Sequence, residues 1–400
     1  MRILIVTEAL VLGGAETFVL RLVRRLRQDG HEAELLCLNP DLEDQRLTNQ
    51  FPDVPIHRVP SAGLRTSKRA DRVAGWVGID LGLQQGRAAR WIERHLRERF
   101  DVYHTNLFGA DHLFARLKRR NPGMKIVSTL HGDYALYQER AEGTEGSRVL
   151  HWKSRLKETL DAVDHWVTIS PDQQDQFAGL FGVDPNKLTD IPNGYAPPAS
   201  VGSPAPRQGN EVRFIMVARG MREKGWGFLI DAFERVKGNA SLTLVGEGAY
   251  LERLRSAHQS DRISFTGADP NPVQRMLGAD VFVHPSIYKA ESMPTVIVEA
   301  LFAGLPIIAT DVGSVPTMLA APSGELAGTL LDKDESTLTN RLALAMQAYV
   351  DDPILRRRQA DLAPLAFAKF DMGGCAAAYA DLYARVVAES ANSSSTRASH

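Results

Sequence analysis

The chain has 400 residues, a formal net charge of -1, 44% hydrophobic residues and 24% charged residues. A chain of this length exceeds the size at which one hydrophobic core stops growing, so two domains are expected. The near-zero net charge gives no reason to expect nucleic acid as a partner. The two cysteines, Cys37 and Cys375, are too few for a disulfide framework and lack metal-ligand spacing, which fits a reducing compartment.

The N-terminal segment MRILIVTEALVLGGAETF is apolar only in short stretches, because Glu8 and Glu16 interrupt it. It does not reach the roughly 18 consecutive apolar residues of a membrane span, and it does not have the pattern of a signal peptide. We therefore expect a cytoplasmic protein.

Short apolar runs alternate with helical patterns in the first half of the chain, and each run is typical of a buried parallel strand. They are Ile3 to Val6, Ala33 to Leu38, Val102 to His104, Ile126 to Leu130 and Trp166 to Ile169. The second half repeats this alternation. Its runs are Phe214 to Val217, Ser241 to Val245, Arg262 to Phe265, Val281 to His284 and Pro306 to Ala309. The pattern predicts two doubly wound α/β domains with a cleft between them.

A segment rich in Pro, Gly and Ser separates the two halves and is interpreted as an interdomain linker at 196–211. The N-terminal domain is predicted to cover 1–195 and to be completed by a helix at about 370–388. The C-terminal domain is predicted to cover 212–369. The Ser-rich tail at 389–400 is predicted to be disordered.

Two glutamates, Glu291 and Glu299, stand eight positions apart around the start of a predicted helix. Pro294 suits the first turn of that helix, and Thr295 follows with a free backbone N–H. A helix start at the carboxyl end of a strand favours an anion such as phosphate. Taken alone, the glutamates are better explained as a solvated helix face.

Positive charge is expected near the same place, because the loop ARGMREKGWG follows the first strand of the second half. Arg219 and Lys224 lie in this loop, and charge-assisted hydrogen bonds from such groups contribute about 1.5 to 3 kcal/mol each. Glycines at 220, 225 and 227 would let the loop backbone approach a ligand. In the first half, Gly13 and Gly14 follow the first strand, where backbone N–H groups could meet a phosphate or a sugar.

The segment from Glu291 to Glu299 resembles the E-x7-E signature of the retaining GT-B glycosyltransferases of family 4. Other segments are similar to the same family and occur in the same order along the chain. They are GGAE at 13–16, LHG at 130–132, IPNG at 191–194, Arg219 with Lys224-Gly225, LVGEG at 244–248, HPS at 284–286 and EALFAGLPIIATDVG at 299–313. Any one of them is a weak signal, but their ordered combination is strong.

The resemblance implies the GT-B fold, in which two Rossmann-like doubly wound domains face a central cleft. It implies that Arg219 and Lys224 hold the diphosphate of a UDP- or GDP-sugar. Glu299 would bind the ribose hydroxyls, and Glu291 would bind hydroxyls of the donor sugar. His131, in the LHG segment, would face that sugar from the opposite domain.

The remaining donor contacts implied by the resemblance lie in the loop after Glu291 and in the first glycine-rich turn. They are Met293, Pro294, Thr295, Gly13 and Gly14. Closure of the cleft would bring His131 and this turn onto the donor.

The resemblance further implies a retaining hexosyl transfer to a hydroxyl acceptor without a metal or any other cofactor. The nucleoside diphosphate would leave from the front side, its phosphate oxygen helping to deprotonate the acceptor. The glutamates would then be binders rather than the acid and base of a hydrolase. The acceptor would be a saccharide or a lipid-linked saccharide, as in cell-surface polysaccharide or glycolipid synthesis.

Two further histidines and one basic region are open to more than one interpretation. His104, at a strand end, is as compatible with a structural role as with a functional one, and His284 is interpreted as structural. The region 51–120 carries 14 Lys and Arg against 7 Asp and Glu, notably in GLRTSKRADR. Its arginines at helical spacing form either a solvated face or a surface that docks on anionic lipid or an anionic acceptor. They are Arg87, Arg90, Arg94 and Arg97.

Two alternatives to a transferase remain. One is a noncatalytic nucleotide-sugar sensor or scaffold, and the other is a different GT-B enzyme, a sugar-nucleotide epimerase or a phosphorylase. A dehydrogenase is disfavoured because no strand is followed by G-x-G-x-x-G.

Overall fold

The computed structural model of the protein describes residues 1–61, 83–96, 99–131, 147–197, 201–202, 209–258, 260–269, 271–289 and 291–397. The chain divides into two compact units. Unit 1 consists of Met1–Gly194 and Met372–His400, and unit 2 consists of Tyr195–Asp371. The predicted linker at 196–211 follows the boundary between Gly194 and Tyr195. Most of its residues, 198–200 and 203–208, lie outside the described part.

Unit 1 contains a seven-stranded sheet in which every described strand pair is parallel. Its strand order is β3-β2-β1-β4-β5-β6-β7. The strands are β1 (Arg2–Thr7), β2 (Glu32–Cys37), β3 (Ile56–Arg58), β4 (Val102–Asn106), β5 (Ile126–Thr129), β6 (His165–Thr168) and β7 (Leu188–Asp190). The central strand β1 buries Ile3 to Val6 completely, as a strand covered on both faces should.

Helices connect these strands, as parallel pairing requires a crossover between one strand and the next. Those before the interdomain boundary are α1 (Gly14–Gln28), α2 (Gln45–Thr48), α3 (Leu83–His95), α4 (Phe108–Arg120), α5 (Ser147–Ala162) and α6 (Pro171–Phe181). The apolar stripe of α4, which includes Leu113, Phe114 and Leu117, packs into the core beside Trp166 of β6.

Unit 2 contains a six-stranded sheet of order β10-β9-β8-β11-β12-β13, again parallel throughout. The strands are β8 (Val212–Val217), β9 (Ala240–Val245), β10 (Ile263–Gly267), β11 (Val281–His284), β12 (Ile307–Thr310) and β13 (Gly328–Leu331). Its helices are α7 (Trp226–Phe233), α8 (Ala249–Ala257), α9 (Val273–Met276), α10 (Thr295–Phe302), α11 (Val315–Leu319), α12 (Glu335–Asp351) and α13 (Pro353–Phe367).

The chain returns to unit 1 through the last helix, α14 (Met372–Arg397), which packs on α1. Gly194 lies so close to this helix that an added Cβ would stand 2.7 Å from the Cβ of Cys375. The helix extends to Arg397, into the segment predicted to be disordered. Alanines at 384, 388 and 391 favour its extension, since adding a residue to an existing helix is easy once it has been nucleated.

In both sheets the strand order reverses beside the first strand of the unit. The chain moves outward from β1 to β2 and β3 and then returns to β4, and in unit 2 it moves from β8 to β9 and β10 and returns to β11. Ligands of open parallel sheets bind beyond the carboxyl ends of the strands at this reversal. The loops after β1 and β4, and those after β8 and β11, are therefore where binding chemistry is expected.

Among the described residues, none of the helices combines the length and the apolar character that crossing a bilayer requires.

Candidate functional site

The loop after β8 carries two predicted phosphate ligands in different environments. Arg219 is exposed, and its guanidinium has no partner among the described residues, while its carbonyl accepts a hydrogen bond from Trp226 Nε1 at 2.9 Å. Lys224, in contrast, is buried at the end of a short 3-10 turn, Arg222–Lys224. One cation is thus available at the surface and the other is already engaged.

Glycines in this region allow segments of the protein backbone to touch each other, which differs from their expected role of admitting a ligand. A Cβ at Gly225, whose φ is +84°, would stand 2.0 Å from the carbonyl oxygen of Pro285. A Cβ at Gly220 would stand 2.7 Å from the carbonyl oxygen of Glu247, and the Gly220 N–H donates to that oxygen. The two glycines therefore fix the β8 loop against the loops after β9 and β11.

Lys224 and Glu291 form a nearly buried ion pair. Lys224 Nζ donates to Glu291 Oε2 at 2.5 Å, and each side chain is only 9% exposed. Ser286 Oγ, which is fully buried, donates to the same oxygen at 2.7 Å. Lys224 Nζ also lies 4.9 Å from the ring centre of Tyr288. The sequence predicted both charged residues for the site, and the structure joins them directly.

His284 ends β11 beside this pair. Its Nε2 lies 3.6 Å from Glu291 Oε2, beyond hydrogen-bond range, and neither ring nitrogen has a hydrogen-bond partner among the described residues. Burial raises the pKa of Glu291, but its interactions with His284 and Lys224 outweigh burial and hold that pKa well below its usual range. Glu291 is therefore a carboxylate at neutral pH and not a proton donor.

The segment that carries Glu291 is fixed from the far side by the TDVG turn. Gly313 has a φ of +52°, and a Cβ there would stand 2.0 Å from the carbonyl oxygen of Glu291. The Ser314 N–H donates to the carbonyl oxygen of Ser292 at 2.8 Å. Only glycine meets both requirements at position 313, which explains why this turn belongs to the site.

Helix α10 begins next to this segment, with Pro294 before its first residue, Thr295. No side chain caps this end, and the N–H groups of Thr295 and Val296 have no acceptor within the helix. Met293 is buried, and Glu299 is buried on the second turn, 8% exposed. Unit 2 thus brings a helix start, two cations and two carboxylates together at the carboxyl end of one sheet.

In unit 1, Gly13 directly precedes α1 and Gly14 is its first residue, in the segment predicted as a loop after β1. Gly13 is extended, with φ of -160°, and its carbonyl accepts hydrogen bonds from the N–H and the hydroxyl of Thr17. A Cβ at Gly13 would stand 2.4 Å from Glu16 Oε2. The glutamate of the GGAE segment therefore lies directly over the glycine turn.

His131 follows β5, and its ring centre lies 5.3 Å from that of Phe18 on α1, with the two ring planes tilted by 60°. Its Nε2 is buried and has no hydrogen-bond partner among the described residues, and burial lowers the pKa of His131 to about 4. Gly132, the last residue of the LHG segment, and the residues up to 146 lie outside the described residues. A neutral imidazole at this strand end has one nitrogen that can donate and one that can accept a hydrogen bond.

His104, for which the sequence left two interpretations, is part of an interior network. Its Nε2 is hydrogen-bonded to Thr129 Oγ1 at 2.7 Å and its Nδ1 to the Tyr383 hydroxyl at 2.6 Å. The ring also stacks on Tyr379, whose hydroxyl reaches Thr129 at 2.9 Å. Burial lowers the pKa of His104 to about 3. The residue is structural: it fastens α14 to the sheet.

Sequence reasoning missed one feature of unit 1, the carboxylate of Glu8 directly after β1. Its Oε1 accepts from the Gly109 N–H at 2.8 Å, at the start of α4, and burial raises the pKa of Glu8 despite this bond and a second one from Ala110. Leu107 precedes that helix with φ of +72°, the only positive φ of a described residue other than glycine. In the sequence, Glu8 is visible as an acidic residue that interrupts the end of an apolar strand. That feature served only as an argument against a membrane span and a signal peptide.

Two arginines of α4 are paired with acids at the surface, whereas Arg90 of α3 is not. Arg119 bonds Glu158 at 2.9 Å and Arg120 bonds Glu93 at 3.3 Å, while Arg90 donates to a backbone carbonyl of its own helix. Arg87 and Arg94 lie on the described helix, but Arg97 and the segment GLRTSKRADR lie outside the described residues.

Comparison with known proteins decides between the classes that the sequence left open. The family described as "Glycosyltransferase Family 4" matches residues 12–197, and "Glycosyl transferases group 1" matches residues 204–363. The chain belongs to the family 4 (group 1) glycosyltransferases. The expectation of a GT-B fold with two Rossmann-like domains is confirmed, and so is the expectation of a glycosyltransferase enzyme.

Similar proteins include further glycosyltransferases. A putative teichuronic acid biosynthesis glycosyltransferase of Bacillus subtilis, TuaC, is 27% identical, over 80% of this chain and 72% of its own length. The 2-deoxystreptamine glucosyltransferase of Streptomyces kanamyceticus is 25% identical, over 78% of this chain and 87% of its own length. The crystal structure of Anabaena HepE in complex with UDP and glucose matches with a TM-score of 0.72 at 18% identity, covering 96% of this chain and 100% of HepE.

Proposed function

We propose that this glycosyltransferase moves a hexosyl unit from a UDP- or GDP-sugar to a hydroxyl acceptor, with retention of configuration and without a divalent metal. The observation that carries the proposal is the buried pair of Lys224 and Glu291 next in the chain to the start of α10, in the unit whose neighbouring loop and helix carry Arg219 and Glu299. Two cations and a helix start suit a diphosphate, and two carboxylates suit the hydroxyls on either side of it. The glucose and UDP found in the HepE structure have this chemistry.

The diphosphate is proposed to bind Arg219, Lys224 and the N–H groups of Thr295 and Val296. A helix start contributes about 0.3 to 1 kcal/mol, whereas each charge-assisted hydrogen bond contributes about 1.5 to 3 kcal/mol, so the two cations dominate. The same groups would stabilise the charge that develops on the departing nucleoside diphosphate. This electrostatic role is the reason to propose that no metal and no other cofactor is needed.

The two glutamates are proposed to bind hydroxyls, Glu299 those of the ribose and Glu291 those of the donor sugar. Glu291 suits this role because it is held as a carboxylate and its Oε1 accepts no hydrogen bond from a described residue. A group held in this form does not protonate a leaving group, which supports front-side departure with the phosphate oxygen helping to deprotonate the acceptor. His131, Gly13 and Gly14 of unit 1 are proposed as further contacts of the donor.

The experiment that tests the proposal is release of nucleoside diphosphate from a panel of UDP- and GDP-sugars, with and without a chelator. The panel is first ranked by thermal shift, because a ligand well above its dissociation constant raises stability. We expect nucleoside diphosphate to be released when an acceptor is present, and the chelator should not prevent this. NMR of the product should show the same configuration at the anomeric carbon, axial or equatorial, as in the donor. Binding without release favours a sensor or scaffold, and interconversion of nucleotide sugars favours an epimerase.

The acceptor is proposed to be a saccharide or lipid-linked saccharide of cell-surface polysaccharide or glycolipid synthesis, handled mainly by unit 1 on the cytoplasmic side. Peripheral contact of the α3 face with anionic lipid is part of this proposal, since Arg87, Arg90 and Arg94 share that helix. Flotation with anionic and with neutral liposomes tests it. Equal recovery with both would assign the arginines to a solvated face.

A further inference from the structure

The donor site of unit 2 contains a buried hydroxyl to which the proposed function gives no role. Ser286, in the loop after β11, is fully buried, and its Oγ donates to Glu291 Oε2 at 2.7 Å. Glu291 Oε1, in contrast, accepts no hydrogen bond from a described residue. The serine therefore holds one oxygen of this carboxylate and leaves the other for a different donor.

The lysine that reaches the same oxygen is a less selective partner. Lys224 Nζ donates to Glu291 Oε2 at 2.5 Å. An ammonium is a compact charge with three N–H donors on a flexible stem, so by itself it does not select one carboxylate oxygen. The proposed function also places this ammonium on the diphosphate. Ser286 is uncharged, so its bond to Oε2 does not have to be given up when phosphate binds.

The turn that contains Ser286 determines where its single hydroxyl proton goes. Ser286 Oγ accepts from the Tyr288 N–H at 3.3 Å, and the Tyr288 carbonyl oxygen accepts from the Glu291 N–H at 3.1 Å. A hydroxyl that accepts from its own turn still has one proton to donate. The carbonyl oxygen of Glu223 is an alternative acceptor at 3.4 Å, but Glu291 Oε2 is nearer and charged.

Neighbouring segments hold this turn in place. Thr310, which is fully buried at the end of β12, donates from Oγ1 to the carbonyl oxygen of Ser286. The Ile287 N–H donates to the carbonyl oxygen of Glu223, in the β8 loop, at 2.8 Å. The backbone that carries Ser286 is thus bonded on two sides, which fixes the position of its short side chain.

We propose that Ser286 is a positioning residue for Glu291: it holds Oε2 inside the protein and so directs Oε1 to accept a hydrogen bond from a hydroxyl of the donor sugar. Thr310 supports it by fixing the turn. A glutamate has a flexible side chain, and ordering it before the donor arrives lowers the entropic cost of binding. This inference rests on the proposed role of Glu291 at the donor sugar.

Ser286→Ala tests the inference with whichever UDP- or GDP-sugar of the panel is turned over fastest. Its kcat/KM should fall by about 10-fold or more, the loss expected when a hydrogen bond to a charged group is removed. The affinity for free UDP or GDP should not fall, because neither ligand carries the sugar that Glu291 binds. A merely structural serine would weaken the free nucleotide as well.

A double-mutant cycle with Glu291→Ala shows whether the serine acts through the glutamate. Calorimetry gives the ratio of the affinity for the nucleotide sugar to the affinity for the free nucleotide. Ser286→Ala should lower this ratio in the otherwise unaltered chain and leave it unchanged in the Glu291→Ala background. Equal losses in both backgrounds, or an unchanged ratio in the otherwise unaltered chain, overturn the inference.

The matched control is Thr329→Val, which removes another hydroxyl of unit 2, the one bonded to the Tyr349 hydroxyl at 3.2 Å. It should change neither turnover nor the affinity ratio. If Ser286→Ala does not fold, Thr310→Val keeps the side-chain shape and should lower the same ratio by a smaller factor. A folded Thr310→Val chain with an unchanged ratio then contradicts the inference.

Two other results would instead overturn the proposed function. One is that the unaltered chain turns over no UDP- or GDP-sugar, and the other is that Glu291→Ala leaves the affinity ratio unchanged. In either case Glu291 does not bind the donor sugar, and the role of Ser286 falls with it.

Discussion

The carboxyl ends of the two sheets are built from opposite kinds of polar chemistry. In unit 1 one interior cluster is built of neutral groups: His104, Thr129, Tyr379 and Tyr383 are joined in a hydrogen-bond network. In unit 2 the corresponding region is charged, with Lys224 paired to Glu291. A neutral network can only hold elements in place, whereas a buried ion pair can be opened by a stronger anion. This difference supports the proposal that the donor diphosphate binds unit 2.

Lowering the pH should destabilise unit 1 and leave unit 2 stable, and this is the largest effect that we expect. Burial lowers the pKa values of His104 to about 3 and of His131 and His165 to about 4, so the unfolded chain binds protons first as the pH falls below about 6.5. Each histidine then removes about 1.4 kcal/mol of unit 1 stability per pH unit until its folded pKa is reached. Asp190, whose pKa burial raises to about 6, acts in the opposite sense and offsets about one of them.

Unit 2 should resist the same change, because the lowered pKa of Glu291 contributes stability that is lost only below its unfolded value of 4.5. Two buried tryptophans report on the units separately, Trp166 in β6 and Trp226 in α7. Denaturant unfolding of variants that retain one or the other should show the Trp166 midpoint falling between about pH 7.5 and pH 5 while the Trp226 midpoint holds. Equal shifts of both midpoints would break the comparison.

Removing the positive charge of Lys224 from unit 2 should have the next largest effect. Lys224→Met leaves Glu291 as an unpaired buried carboxylate and should destabilise unit 2 by about 3 to 5 kcal/mol. It should also abolish measurable UDP and GDP binding. Lys237→Met, which changes an exposed lysine of the same unit, is the control and should alter neither. The Trp226 unfolding midpoint and calorimetry measure the two effects, and an unchanged midpoint would mean that the pair does not stabilise the unit.

Removing one hydroxyl from unit 1 should have the smallest effect. Tyr383→Phe leaves His104 Nδ1 buried without its partner at 2.6 Å, and should cost about 1 to 3 kcal/mol. Nucleotide affinity should stay unchanged, because the network only fastens α14. Tyr250→Phe in unit 2 serves as the control for loss of a hydroxyl. A nucleotide affinity that fell with Tyr383→Phe would show that the neutral network takes part in donor binding.

Strands that are buried on both faces could be predicted from the sequence, and the short outer strands could not. Runs such as Ile3 to Val6 and Val281 to His284 are continuous and apolar, and both are strands in the structure. The outer strands β3, β7 and β13 went unpredicted because each has three or four residues with exposed or partly exposed positions. Such segments become strands through pairing with a neighbour rather than through their own pattern.

The residues of the donor site could be named from the sequence, but their pairing could not. Spacing along the chain placed Lys224 and Glu291 on different loops, and only the folded β8 and β11 loops bring them within 2.5 Å. His284 was interpreted as structural because nothing in HPS reveals whether its nitrogens are paired. Glu8 was missed because its partner, the Gly109 N–H, lies 101 residues away in the chain.

The most direct test of the account compares free UDP and GDP binding by Glu299→Gln and Glu291→Gln, with the exposed Glu252→Gln of α8 as control. If Glu299 holds the ribose, Glu299→Gln should weaken free nucleotide by about 10- to 100-fold, corresponding to about 1.5 to 3 kcal/mol. Glu291→Gln should bind free nucleotide at least as tightly as the unaltered chain, because it releases Lys224, while losing turnover of the nucleotide sugar. Equal losses for the two variants would contradict the assignment of diphosphate, ribose and sugar to separate groups of unit 2.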